Sequence, residues 1–177
     1  MTIYGQAAFD DFKDKVGFNN IFALQLGFKA FDLFKLKNLN FQIELNDAGA
    51  NIYRNKENEL QDYYHYNQSL AHPSGFSFGE FLTIVNYRFK DFNLAYKFNS
   101  ITYSGRDYLT KSFDATKPSV GVVLHDFNLS YLINPKTNMN ITLGFFSRIE
   151  KRQSETFRTD FVYIAWRTSL ANQYFDF

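Results

Sequence analysis

The 177-residue sequence contains no cysteine, and its 19 basic side chains nearly balance its 18 acidic ones. Without cysteine the chain has no disulfide framework, no thiolate metal site and no cysteine nucleophile. A formal net charge of +1 gives no overall attraction to nucleic acid, so we expect no nucleic-acid partner. These absences exclude disulfide scaffolds and proteins that bind nucleic acid through bulk charge.

Long apolar runs are also lacking, and none approaches the roughly 18 residues that a membrane-spanning helix needs. The first residues carry neither the basic nor the apolar segment of a secretory signal. If the protein is exported, we therefore expect this chain to be a mature form or a piece of a longer one. Linkers, repeats and low-complexity tracts are absent as well, which predicts a single domain over residues 1–177.

Aromatic residues are abundant at 20%, with 22 Phe and 12 Tyr, which excludes a disordered chain and a coiled coil. The mean hydropathy of −0.34 resembles that of a soluble domain. A barrel that alternates lipid-facing and water-facing residues averages to a similar value, so mean hydropathy does not separate the two. The periodicity of the sequence must therefore separate a soluble domain from a membrane barrel.

Apolar and polar side chains alternate strictly in three segments, which predicts β-strands there. These segments are 39–45, 92–98 and 139–145, and weaker alternation covers 22–30, 81–89, 123–133 and 157–170. A further strand is expected around residues 3–9. Together they predict an all-β fold with about eight strands.

The connections between these strands differ in length. Segments 35–37, 90–91 and 134–137 are short, whereas 47–78, 103–118 and 150–155 are longer and polar. Short and long connections therefore alternate, which places them at opposite ends of an antiparallel sheet. Outer-membrane barrels have this asymmetry, with short periplasmic turns and long outside loops. It predicts an antiparallel transmembrane β-barrel, or the C-terminal portion of a larger one, with a long outside loop at 47–78.

The composition of the two strand faces favours a membrane barrel over a soluble one. The apolar faces of the three clearest strands carry no charge, while the opposite faces are rich in Asn and Gln. Because Asn is a poor strand former, an Asn-rich face suggests a hydrated lumen. Aromatic residues near strand ends fit interfacial girdles: Tyr87, Phe89, Phe92, Tyr131 and Trp166. The alternative is a soluble eight-stranded carrier of a small apolar ligand, in which these aromatics form the core.

Charged residues of both signs fall on the predicted polar faces: Glu44, Glu80, Arg88, Lys97 and Arg148. Side chains just fill the interior of an eight-stranded barrel. If eight strands close on themselves, we therefore expect these residues to form a paired polar plug and not an open channel.

The long loop holds the candidate ligand-binding residues. Tyr63, Tyr64 and Tyr66 offer flat apolar faces for sugar rings, and His65, Asn67 and Gln68 can supply directional hydrogen bonds. Sugar binding is the functional hypothesis for this loop. His65 and His72, with Glu80, are a possible set of metal ligands, but their loop spacing fixes no geometry. We predict no metal and no cofactor.

Enzymatic activity is not predicted. His125 lies on the apolar side of its strand, where a histidine could serve an outer-membrane hydrolase, although a nearby shift of the strand or a position at the membrane edge also explains it. No G-x-S-x-G, H-E-x-x-H or Gly-rich phosphate loop accompanies it. A hydrolase is therefore the third hypothesis, after the membrane barrel and the soluble carrier.

Two stretches and the end of the chain resemble a known family. The chain ends on aromatic residues, Tyr174, Phe175 and Phe177, as outer-membrane barrels commonly do for reading by the barrel-insertion machinery. His65-Tyr66-Asn67-Gln68-Ser69-Leu70-Ala71-His72-Pro73-Ser74-Gly75, continuing to Phe78-Gly79-Glu80, resembles the central segment of the gliding-motility and capsule-assembly family of outer-membrane barrels. Asn134-Pro135-Lys136-Thr137-Asn138 and the residues from Arg167 onward are similar to the way those chains end.

This resemblance implies a location and partners. Family members have a signal peptide and a larger barrel, so the chain would correspond to their C-terminal part. The implied role is non-enzymatic: surface polysaccharide assembly, or gliding motility and associated secretion, in the bacterial outer membrane. The implied partners are outer-membrane lipid, the barrel-insertion machinery, and surface polysaccharide or other secretion components.

Overall fold

The computed structural model describes residues 1–11, 21–50, 52, 64–65, 68–105 and 116–168, with backbone alone at 10–11, 21, 64–65 and 68–69. The strands in these parts are β1 (Thr2–Asp11), β2 (Ile21–Phe31), β3 (Leu39–Ala48), β4 (Tyr64–His65), β5 (Gln68–Ser69), β6 (Phe78–Phe89), β7 (Phe92–Tyr103), β8 (Val120–Asn134), β9 (Met139–Arg152) and β10 (Glu155–Arg167). A short 3-10 turn, Leu33–Lys35, precedes β3. Among the described residues, no helix has the length and apolarity to cross a membrane.

Eight strands form one antiparallel sheet in the order β1-β2-β3-β6-β7-β8-β9-β10. Strands β4 and β5 pair separately as a small ribbon within the segment between β3 and β6. The prediction of an all-β fold with eight strands is thus confirmed. The sheet is not closed, because β1 and β10 pair only with β2 and β9 among the described strands.

Three connections are short and lie at one end of the sheet, which we call the turn end. They join β2 to β3, β6 to β7, and β8 to β9. At the opposite end, called the loop end, long segments join β3 to β6 and β7 to β8. The prediction of a long connection at 150–155 is wrong: β9 runs to Arg152, and only Gln153 and Ser154 separate it from β10. The polar residues there belong to strands, since Glu150 and Arg152 form an ion pair on one face of β9.

The two faces of the sheet have opposite character. On the polar face, the ladder aligns Gln25, Asn46 and Glu80 across β2, β3 and β6. On the apolar face, large side chains remain exposed, including Leu45 at 54% and Leu143 at 49%. A sheet in water buries its apolar face and exposes its polar one. Here the polar face is the protected one.

The small apolar core lies on the polar face, near the loop end. Ile52 and Phe76, both 1% exposed, pack with Ala48, Phe78 and Ile101. The ladder places Ala48 opposite Phe78 and Glu80 opposite Ile101, so the core shares a face with the buried polar groups. Ile52 and Phe76, from the segment between β3 and β6, therefore cover part of this face at the loop end.

The sheet curls around its polar face. The Tyr4 hydroxyl on β1 donates a hydrogen bond to Glu44 on β3, passing over β2. At the other edge, the Tyr163 hydroxyl on β10 donates to Asn128 on β8, passing over β9. These links bring next-nearest strands together, which a flat sheet with strands about 4.8 Å apart disfavours. The polar face is therefore concave and the apolar face convex.

Glycine makes both of these links possible. Tyr4 lies directly opposite Gly27, and Tyr163 lies directly opposite Gly144. In each pair the ring lies over the glycine backbone, where a Cβ atom would overlap the ring carbons. The absence of a side chain thus lets each edge tyrosine cross its neighbouring strand and bond to the third one.

Substituting these glycines should destabilise the sheet. We expect Gly27→Ala and Gly144→Ala each to lower the free energy of unfolding by about 1 to 3 kcal/mol, because the methyl group displaces the tyrosine ring. Urea unfolding followed by circular dichroism measures the change. Gly121→Ala is the matched control, since a Cβ atom there meets nothing within 4 Å. Equal stability of all three variants would contradict this account of the tyrosine packing.

Candidate binding site on the concave polar face

The buried carboxylate of Glu80 organises the polar face near the loop end. It accepts hydrogen bonds from the Nδ2 atoms of Asn46, at 2.7 Å, and Asn99, at 2.8 Å. It also lies 3.1 Å from Nε2 of His72. Burying a carboxylate is costly unless donors satisfy it, and three donors from separate segments do so here.

His72 attaches the segment before β6 to this carboxylate. Its Nδ1 atom accepts a hydrogen bond from the backbone N–H of Ser74 at 3.1 Å. A ring nitrogen that accepts carries no proton, so the neutral ring has its proton on Nε2, which faces Glu80. The contact with Glu80 therefore needs no charge on the histidine. The ring also stacks on Phe78, with centroids 4.6 Å apart.

Strand register explains why these residues meet. Asn46 lies directly opposite Glu80, and Asn99 lies opposite Leu82, one side chain further along the same face of β6. Backbone hydrogen bonds from Ser77 to Gly49 and from Ser104 to Ser77 tie the loop end together above them. The Oδ1 atoms of Asn46 and Asn99 are buried and have no hydrogen-bond partner among the described residues. Both can accept a hydrogen bond from a bound group.

A cavity of about 130 Å³ opens beside this cluster. Its lining includes Gln6, Gln25, Asn46, Ala71, His72 and Phe78. Amide groups and aromatic rings suit a group that carries hydroxyls on an apolar frame. Ligand pockets for whole small molecules usually enclose about 300 Å³ or more. This cavity therefore has room for one small group and not for a whole oligosaccharide.

Two further clusters fill the concave face. Glu150 forms ion pairs with Arg148 and Arg152. Glu44 accepts hydrogen bonds from Tyr4 and Gln42, and lies 3.4 Å from the side-chain nitrogen of Gln25. Glu44, Glu80 and Arg148 thus have polar partners on the concave face, but the plug is expected of a closed barrel, and among the described residues none of the three pairs with another of the five charged residues.

Lys97 and Arg88 do not take part in the ion pairing that the plug prediction requires. Lys97 lies opposite Asp126 in the ladder. Within the described part of the chain, neither Lys97 nor Arg88 comes within 4 Å of a carboxylate. Pairing among the five charged residues is therefore absent from the residues that the structure describes, because strand register alone does not bring charged side-chain ends into contact.

On the convex face, His125 lies opposite Ser147, which lies opposite Asp160. The Ser147 hydroxyl hydrogen-bonds to Asp160, and Asp160 pairs with Arg158 at 2.6 Å. His125 Nδ1 lies 2.9 Å from the Tyr96 hydroxyl. In a serine hydrolase the histidine stands between serine and carboxylate. Here serine stands between them, so this row is not arranged as a catalytic relay.

The sugar-binding and insertion-signal predictions stay untested. Tyr63, Tyr66 and Asn67 lie outside the described residues, as do Tyr174, Phe175 and Phe177. Tyr64 and His65 form β4 and Gln68 begins β5, with only their backbone described. Among the described residues, no three His, Cys, Asp or Glu side chains come together as a metal site.

Sequence reasoning missed the partners of Glu80. Asn46 and Asn99 are polar residues within strands, and alternation places them on the polar face without singling them out. The available signal was their alignment with Glu80 once the strands are paired, which requires the register.

Comparison of the chain with protein-family models, with curated proteins and with solved structures finds no match.

Removing the Glu80 carboxylate should loosen the loop end. We expect Glu80→Ala to lower the free energy of unfolding by about 2 to 4 kcal/mol, because two buried amide donors lose their acceptor. Urea unfolding measures the loss. Glu155→Ala, an exposed carboxylate at the start of β10, is the control and should change stability by less than about 0.5 kcal/mol. Similar losses for both variants would show that the buried network contributes nothing specific.

Proposed function

We propose that this chain forms the wall of a transmembrane β-barrel in a bacterial outer membrane, with a non-enzymatic structural and binding role. The observation that carries the proposal is the exposed apolar band on the convex face, opposite a concave face filled with buried polar groups. Water-filled or polar interiors and apolar exteriors are the arrangement of outer-membrane barrels. A soluble carrier of an apolar ligand requires a polar exterior and an apolar interior.

The band does not run straight along the ladder of paired residues. On β3 its loop-end limit is Leu45, which is followed on that face by Asp47. Leu45 is level with Val123 on β8 through the paired strands between them. On β8, however, continuous apolar side chains end at Phe127, before His125. From β3 to β8, three strands away in the sheet, the loop-end limit of the band therefore moves four residues toward the turn end, from the level of Val123 to Phe127.

The other limit of the band shifts by the same amount. On β3 it begins at Leu39, which is level with Leu129 on β8. On β8 it extends four residues further, to Ile133. Four residues rise about 13 Å along a strand, and three strand spacings span about 14 Å, so the band crosses the strands obliquely, at about 40°. Strands of outer-membrane barrels tilt by about 35–45°, so a band of this obliquity would lie level in a bilayer.

The cellular role is proposed from the resemblance given above. A part in surface polysaccharide assembly, or in gliding motility and its secretion apparatus, is consistent with a barrel whose loop end carries polar, hydroxyl-compatible groups around Glu80. The proposed partners are outer-membrane lipid, the insertion machinery and a surface polysaccharide. The observations on the two sheet faces support the membrane part of this proposal and are neutral on the polysaccharide.

Free sheet edges are unfavourable in lipid, because unpaired backbone groups find no water there. A shift of four residues over three strands amounts to between ten and eleven residues around eight strands, and a shear of about ten residues is suitable for a small barrel. Ala8 is level with Val120 in the ladder. Ser130, which lies ten residues beyond Val120 along β8, is level with Ala165 on β10. We therefore propose that β1 pairs with β10 with Ala8 opposite Ala165.

Lipid contact can be tested with single cysteines, since the chain has none of its own. We expect nitroxide labels at Phe41→Cys and Ile43→Cys to collide preferentially with oxygen, which concentrates in lipid. A label at Gln42→Cys should be shielded from oxygen, because Gln42 faces the polar interior. Electron paramagnetic resonance in lipid vesicles measures the collision rates. Equal oxygen accessibility at neighbouring positions would refute the membrane orientation.

Closure can be tested with a second pair of cysteines. We expect Ala8→Cys with Ala165→Cys to form an intramolecular disulfide after refolding in detergent micelles, seen as a mobility change under non-reducing conditions. Ala8→Cys with Thr159→Cys is the control, because Thr159 lies six residues away along β10 and should not react. A disulfide between two chains would instead mean that the edges pair with a second copy. Absence of any disulfide would contradict self-closure in this register.

A further inference from the structure

A second cavity, of about 280 Å³, lies on the concave face at the turn end. Five consecutive strands and the turns between them contribute to its wall. The polar residues that line it include Arg88, Asn93, Ser130, Asn138, Asn140 and Arg167. It lies at the opposite end of the sheet from the Glu80 cluster, and the binding role proposed above makes no use of it.

Arg88 on β6 and Arg167 on β10 both line this cavity. Across the described residues, neither Arg88 nor Arg167 lies within 4 Å of a carboxylate, although Asp91 is also in the wall. Charged groups that line a concave surface without a partner remain available to a ligand. Guanidinium groups bind carboxylate and phosphate oxygens through paired hydrogen bonds.

Neutral donors stand beside these charges. Asn93 has a half-buried side-chain amide on β7, next to Arg88 in the ladder. Asn140 already donates its amide to the Asn138 carbonyl at 3.0 Å, which orients that side of the wall. An anionic oxygen in the cavity could therefore receive hydrogen bonds from both charged and neutral donors.

The surrounding charge favours the same kind of ligand. At the turn end, the described turns and adjoining strand ends contain six cationic side chains and two acidic ones. These are Lys35, Lys37, Arg88, Lys90, Lys136 and Arg167, against Asp32 and Asp91. A cleft lined by charge of one sign raises the local concentration of ions of the opposite sign. Anions are thus drawn toward the cavity mouth.

We propose that the turn-end cavity binds a small anion, or the anionic group of a larger ligand, through Arg88 and Arg167. The ligand carries a phosphate or a carboxylate small enough for a cavity of about 280 Å³. The two guanidinium groups hold its oxygens from opposite sides, and Asn93 donates to them from the wall. The site needs only the curled sheet and does not depend on what the convex face contacts.

Isothermal titration calorimetry on the refolded full chain tests the site with two probes, inorganic phosphate and glucuronate. We expect at least one probe to bind at low ionic strength. Arg88→Gln and Arg167→Gln should each weaken binding about tenfold or more, as loss of a charge-assisted hydrogen bond predicts. Lys90→Gln is the control, because this exposed cation lies near the cavity and outside its lining; its affinity should stay within about twofold of the parent chain.

The outcomes separate the proposal from its alternatives. Binding of phosphate alone or of glucuronate alone supports the site and identifies the class of anion. No binding of either probe overturns the proposal. An equal loss with Lys90→Gln also overturns it, because the attraction is then diffuse surface charge. Arg88→Lys guards against misfolding: it keeps the charge but not the paired geometry, and should bind more tightly than Arg88→Gln if the site exists.

Discussion

The structure depends on satisfying polar groups that the sheet encloses. Strict alternation sends every second side chain to the concave face, where Asn, Gln, Glu and Arg would be costly without partners. Three carboxylates, Glu44, Glu80 and Glu150, each gather donors from neighbouring strands or from the same strand. The Glu44 and Glu80 clusters join residues of different strands, which only the correct register brings together, whereas Arg148 and Arg152 lie on the same strand as Glu150. These cross-strand contacts therefore favour one strand register among those that the apolar side chains of the opposite face allow.

The concave face is divided between two ends of different character. Near the loop end, acceptors prevail, with Glu80 and the amide oxygens of Asn46 and Asn99, which have no partner among the described residues. Toward the turn end, donors prevail, with amides and two arginines that meet no carboxylate of the described residues around a wider cavity. A molecule that approaches the loop end therefore meets mainly acceptors, and one that approaches the turn end meets mainly donors.

Alternation in the sequence was sufficient to predict the strands and their faces, because the period of two survives in Leu39 to Leu45 whatever surrounds it. It was insufficient for contacts that depend on which strands are aligned, such as Asn99 with Glu80 or Tyr163 with Asn128. The polar run at 150–155 has the composition of a loop. Polar residues that pair with one another on a concave face are of the same types as those that hydrogen-bond to water in a loop. The long loop's tyrosines stay a prediction for the same reason: composition indicates their chemistry and not their arrangement.

The tyrosines that cross a glycine at each edge also protect the backbone beneath them. An edge strand normally leaves its neighbour's amides near solvent, and local opening starts there. Each ring over Gly27 or Gly144 covers a stretch of main chain that has no side chain of its own. Amide hydrogens of β2 and β9 beneath these rings should therefore exchange slowly with solvent, and each ring should keep its edge strand in the curled form.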